Sequence, residues 1–215
     1  MFFLPSGILI LLILFLLLPV LFFLAFFHLI TLGFEKLGIS YSATIAILFL
    51  MLIGSAVNIP ITKRKFFYAK RRYFFGIFED TRLVPSGIAV NLGGAVLPVL
   101  MSLYFMHKVP LKPVLITTIL MTIVSNFFAR PVRGRGIVIP AFIPPIFSAI
   151  FALIFAPHFS APVAFISGVL GTLIGADILN IKRARKELGP GIISIGGAGV
   201  FDGIFLVGII SALLT

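Results

Sequence analysis

Long apolar runs, broken only by short charged connectors, leave few folds open to this chain. Six of its 215 residues are acidic and 17 basic, and 60% are apolar. A soluble domain of this size covers itself with about 25% charged residues; 11% cannot do so. The chain therefore reads as a single integral membrane domain over residues 1–215. A water-soluble enzyme and a nucleic-acid-binding module are excluded, and the expected partner is the lipid bilayer. With no cysteine, thiolate catalysis, disulfides and Cys-ligated zinc are excluded too.

A bilayer crossing needs about 20 mostly apolar residues. Seven stretches meet that template: 5–30, 43–61, 88–106, 113–129, 137–156, 162–181 and 191–214. The expected fold class is an all-α, polytopic transmembrane bundle. The first run contains Pro5 and Pro19 and reads as one tilted or kinked span. It has no basic n-region, so a cleaved signal peptide is not expected.

Basic residues orient such a bundle. The connectors at 62–86, 130–136 and 182–190 hold fourteen Lys and Arg, against three in those at 31–42, 107–112 and 157–161. This alternation predicts a multi-pass protein of the cell membrane, with its amino terminus cytoplasmic and its carboxyl terminus extracellular. The basic cytoplasmic loop 62–86 interleaves Lys63, Arg64, Lys65, Lys70, Arg71 and Arg72 with Phe66, Phe67, Tyr68 and Tyr73. It reads as a topology anchor on the bilayer surface or as a clamp for anionic lipid headgroups.

Two parts of the chain echo each other. Leu52-Ile53-Gly54, Asn58-Ile59 and Lys63-Arg64-Lys65 are matched by Leu173-Ile174-Gly175, Asn180-Ile181 and Lys182-Arg183. After the basic connector, Gly87-Ile88-Ala89-Val90-Asn91-Leu92-Gly93-Gly94-Ala95 is matched by Gly191-Ile192-Ile193-Ser194-Ile195-Gly196-Gly197-Ala198. Chance recurrence of Leu, Ile, Gly and Ala is one explanation. A 3+1+3 parallel repeat, a known transporter plan, is the other.

Three segments are poor helix formers: the one holding Gly93, Gly94 and Pro98, the one holding Pro140, Pro144 and Pro145, and the one holding Gly196, Gly197 and Gly199. An interior Gly costs a helix about 1 kcal/mol relative to Ala and an interior Pro about 3. Broken backbone inside a membrane must find partners in protein or in a wet cavity. Discontinuous helices are expected at all three, with close packing by small residues the alternative for the glycines. Gly171-x-x-x-Gly175 has the spacing of a helix-packing motif.

Four of the six acids fall in connectors; Asp177 and Asp202 do not. An ionisable group inside a membrane is costly, and its retention points to function. Asn180 shares a helical face with Asp177, although Asp177 is also near enough to Lys182 to pair with a base at the interface. Two functions follow. In the first, Asp202, helped by Asn91, Ser194, Asp177 and Asn180, binds a proton, cation or polar solute, and the protein is a transporter. In the second, Asp177 and Asp202 form a catalytic acid–base dyad that activates water for peptide cleavage within the membrane. His28, His107 and His158 are scattered near span ends, so no metal site is expected. Nor is a cofactor, and an oligomer is left open.

The segment Gly197-Ala198-Gly199-Val200-Phe201-Asp202-Gly203-Ile204-Phe205 resembles the Gly-x-Gly-Asp signature of presenilin-type and prepilin-type intramembrane aspartyl proteases. That family carries its two Asp on consecutive spans joined by a cytoplasmic loop, so the resemblance implies Asp177 and Asp202 as the pair. Two residues stand between Gly199 and Asp202 where that family has none. Over its whole length the sequence is more similar to a family of short archaeal and bacterial multi-pass membrane proteins of unknown function. The stretches Asn91–Ala95, Gly175-Ala176-Asp177 and Gly196–Gly203 carry that likeness. It implies membrane residence and no mechanism.

Overall fold

The computed structural model describes residues 6–63, 65–73, 78–133 and 135–197, together with Val207, Ile210, Leu213 and Leu214. Asp202 and Gly199 lie outside the described residues. Helix α1 (Ser6–Lys36) runs unbroken through Pro19 as a single element. At about 1.5 Å per residue its 31 residues exceed the thickness of a bilayer core. Helix α2 (Tyr41–Ser55) follows, then three strands: β1 (Asn58–Pro60), β2 (Lys65–Tyr73) and β3 (Phe78–Asn91). A π-helical stretch, Leu92–Val96, leads into α3 (Leu97–Met106), and α4 (Leu111–Phe128) completes the first part.

The second part opens with a small hairpin, β4 (Arg130–Val132) and β5 (Gly136–Val138), before α5 (Ile143–Phe155). Helix α6 (Ser160–Thr172) continues into a second π-helical stretch, Leu173–Ile178. A short amphipathic helix, α7 (Ile181–Leu188), and a strand, β6 (Ile192–Ile195), end the continuous described chain.

Three helical runs are long and apolar enough to cross a membrane: Ile13–Lys36, Leu111–Phe128 and Pro157–Ile178. Three further helices, Tyr41–Ser55, Leu92–Met106 and Ile143–Phe155, are apolar but shorter. Their expected spans are cut back by strand, turn and π-helix at one end. The span expected at 191–214 starts as strand β6 and then passes mainly outside the described residues.

The all-α expectation is thus corrected: the fold is mostly helical but contains strands. The loop 62–86 is largely a β-hairpin, with Lys65 opposite Ser86 and Tyr73 opposite Phe78. Strand β3 also holds β1 antiparallel and β6 parallel, the latter pairing Gly87 with Ile192 and Val90 with Ile195. The two glycine-containing segments that echo each other in sequence therefore lie side by side. Discontinuity at Pro140 takes the form of a turn, in which the Ile143 amide donates to the Pro140 carbonyl. Pro144 and Pro145, expected to disrupt, instead occupy the first turn of α5, where a missing N–H costs nothing.

Helix α6 is the enclosed element. Val163, Ile166 and Val169 are fully buried in it, and Phe165 meets Phe105 edge-on at 5.4 Å. Any Cβ at Gly171 or Gly175 would run into Met121 or the Thr122 carbonyl of α4, the close packing their spacing predicted. Some buried hydroxyls on these helices turn back on their own backbone, as Ser102 does to the Pro98 carbonyl and Thr117 to that of Pro113. By contrast α1 leaves Phe15, Phe22 and Phe23 more than 60% exposed, a surface suited to lipid.

Candidate carboxylate site

The ends of β1, β3 and β6 converge on a small cluster of polar groups. At the end of β3, Asn91 is 3% exposed. Its Nδ2 donates to the Ser55 carbonyl at 2.7 Å and to Asn58 Oδ1 at 3.2 Å, while its Oδ1 accepts from the Gly94 amide at 2.7 Å. The side chain thereby caps the π-helical turn that follows and ties it to the end of α2. Ser194, opposite Ala89 in β6, donates its hydroxyl to the same Asn58 oxygen.

Asp177 lies in the widened turn at the foot of α6, 9% exposed. Its Oδ2 accepts from the Gly196 amide at 2.7 Å. This bond links the last turn of one apolar run to the start of the next, across 19 residues. Gly196 has φ +69°, a left-handed conformation that other residues adopt only at a cost. A Cβ there would fall 2.7 Å from the Gly94 carbonyl oxygen and from Ala95 Cβ. Gly94 and Gly196 are glycines because two backbones touch at this point. Gly93 serves the same purpose against Met51 and Ser55 of α2, and Gly197 stands against Ser194.

Asn180 is buried just after the same turn, its backbone amide donating to the Asp177 carbonyl at 3.2 Å. Its Nδ2 donates to Asn126 Oδ1 at 2.9 Å and to the Gly175 carbonyl at 3.0 Å, satisfying an oxygen released by the π-helical turn. The structure thus brings Asp177 to Gly196, and Asn91 and Ser194 to Asn58, in two adjoining sets. Asn58 and Asn126 were not singled out from sequence as site residues. The signal for Asn58 was present: it joins the two halves of the echo, as Asn180 does.

An apolar cleft of about 370 Å³ opens against the π-helical turn that bears Asp177. Ile174 and Ile178, which flank Asp177 in the same turn, line it with Ile195, Val90, Val99 and Leu173. π-helical turns recur at functional sites because they re-aim side chains without ending the helix. Both such turns border this region, one holding Asp177 and the other capped by Asn91.

Residues 52–214 match a family model described as "Protein of unknown function (DUF1614)". No curated protein matches the chain, and no solved structure does.

Proposed function

This chain belongs to the DUF1614 family, whose description names no activity, and we propose from the site alone that it is an intramembrane aspartyl protease. It would be a multi-pass protein of seven crossings, with Asp177 and Asp202 as its two carboxylates. The observation that carries this reading is the hydrogen bond from the Gly196 amide to Asp177. It draws the segment leading to Asp202, six residues further on, against the turn that bears Asp177.

In the reaction, one carboxylate takes a proton from water as the water oxygen attacks the scissile carbonyl carbon. The other, protonated, gives its proton to the carbonyl oxygen. The tetrahedral intermediate then collapses: one of its hydroxyls returns a proton to the second carboxylate, the C–N bond breaks, and the departing amine takes up the proton removed from water. An apolar substrate segment would lie in the cleft lined by Ile174, Ile178 and Ile195.

A transporter built around Asp202 is the competing reading. It calls for polar groups along a path for a cation or solute. The residues lining the cleft are all apolar, and the amide of Asn91, its expected ligand, already serves three partners. Both features support hydrolysis over transport.

The test is cleavage of apolar, membrane-spanning peptides by the full chain in liposomes, with fragments identified by mass. Asp177→Asn and Asp202→Asn should each reduce cleavage by about 10³-fold or more. Cation or solute flux that survives Asp177→Asn and is lost in Asp202→Asn, with no cleavage by the parent chain, would overturn the proposal in favour of transport.

A further inference from the structure

A second cavity, of about 630 Å³, opens between the base of the β2–β3 hairpin and the end of α7. Its volume falls within the range of about 300–1,000 Å³ typical of small-ligand sites. Lys63 and Arg185 line it, with Thr62, Ser86 and Phe67, and no acid is among its lining residues. These two bases come from far apart in the chain yet occupy matching positions, each five residues after the asparagine of an Asn-Ile pair, Asn58 or Asn180. The two basic connectors therefore contribute one cation each to a single cleft.

Among the described residues, Arg183 pairs with Glu187 at 2.8 Å, whereas Lys63 and Arg185 have no ion pair. Thr62 adds a directed donor: its Oγ1 accepts from the Ile88 amide at 2.8 Å, leaving its own proton to point elsewhere. A guanidinium, an ammonium and hydroxyls around one space suit a tetrahedral oxyanion. Outside the cleft, Tyr68 and Leu83 are directly opposite each other on the hairpin, and Phe66 shares their face; all three are exposed. That apolar face beside a cationic cleft fits the boundary between headgroups and acyl chains.

We propose that this cleft binds a phosphate group, with the headgroup of an anionic phospholipid and free phosphate as its two sources. The site stands apart from the carboxylate site and does not depend on peptide hydrolysis. Its test is binding to the full chain in nanodiscs, read by thermal stability and by lipid retention in native mass spectrometry. Discs containing phosphatidic acid should stabilise the chain relative to phosphatidylcholine discs. The double substitution Lys63→Ala with Arg185→Ala should weaken retention about tenfold or more, with Lys182→Ala and Lys186→Ala as a matched control for lost charge. Inorganic phosphate titrated into phosphatidylcholine discs separates the sources. Stabilisation there that requires Lys63 and Arg185 identifies a soluble phosphate ligand; stabilisation only in anionic discs identifies the lipid. Equal losses in the two double variants, or equal retention of the two lipids by the parent chain together with no stabilisation by inorganic phosphate, would overturn the proposal. A double variant that fails to elute as a folded species would be replaced by Lys63→Gln with Arg185→Gln, read the same way.

Discussion

Asn91 meets three demands with one amide: the Ser55 carbonyl, the Gly94 amide and the Asn58 side chain. Removing a buried partner leaves polar groups unsatisfied at about 1–3 kcal/mol. Asn91→Ala should therefore lower the thermal midpoint in detergent markedly. Asn126→Ala, at an exposed position that meets only Asn180 among these contacts, should lower it much less. At this scale the sequence was informative about identity and silent about partners. Asp177, Asn180, Ser194 and Asn91 stand out because polar groups in apolar runs are costly. Nothing in the spacing tells that Asp177 reaches the Gly196 amide, since that contact depends on a left-handed turn after a strand. Asn126 went unnoticed because a polar residue near the end of a span is ordinary.

Among elements, helices were legible and strands were not. The run Gly87–Asn91 is apolar and short, a pattern shared by buried strands and by the beginnings of buried helices. What decides for strand is tertiary: β6 lies parallel along one edge of β3 and β1 antiparallel along the other. The α4–α6 seam was legible from Gly171 and Gly175, because small residues at that spacing allow two helix backbones to approach. Gly175→Val would drive a branched side chain into the Thr122 carbonyl and Ser125. It should destabilise the chain by about 2–3 kcal/mol, measured by thermal unfolding in detergent. Gly191→Ala is the matched control, since a Cβ there meets nothing within 4 Å, and it should be nearly neutral.

For the whole molecule, the proposed seven-crossing topology makes its own prediction. The chain has no cysteine, so single cysteines report their side of the membrane without background. Thiols at Ser40 and His158 should react with an impermeant maleimide in intact cells, and those at Arg133 and Lys186 only after permeabilisation. The Lys36 ammonium donates to the Leu213 carbonyl at 3.0 Å, so the end of α1 and the carboxyl-terminal end lie on one side, in keeping with that arrangement. The central claim is that two acids on successive apolar segments share one site, and the same cysteine-free background tests it most directly. In a chain carrying Asp177→Cys and Asp202→Cys, dibromobimane, which becomes fluorescent only on bridging two thiols a few ångströms apart, should give an intramolecular fluorescent product. Two thiols that are each alkylated by monofunctional reagents, yet never bridged in the folded protein, would contradict the account.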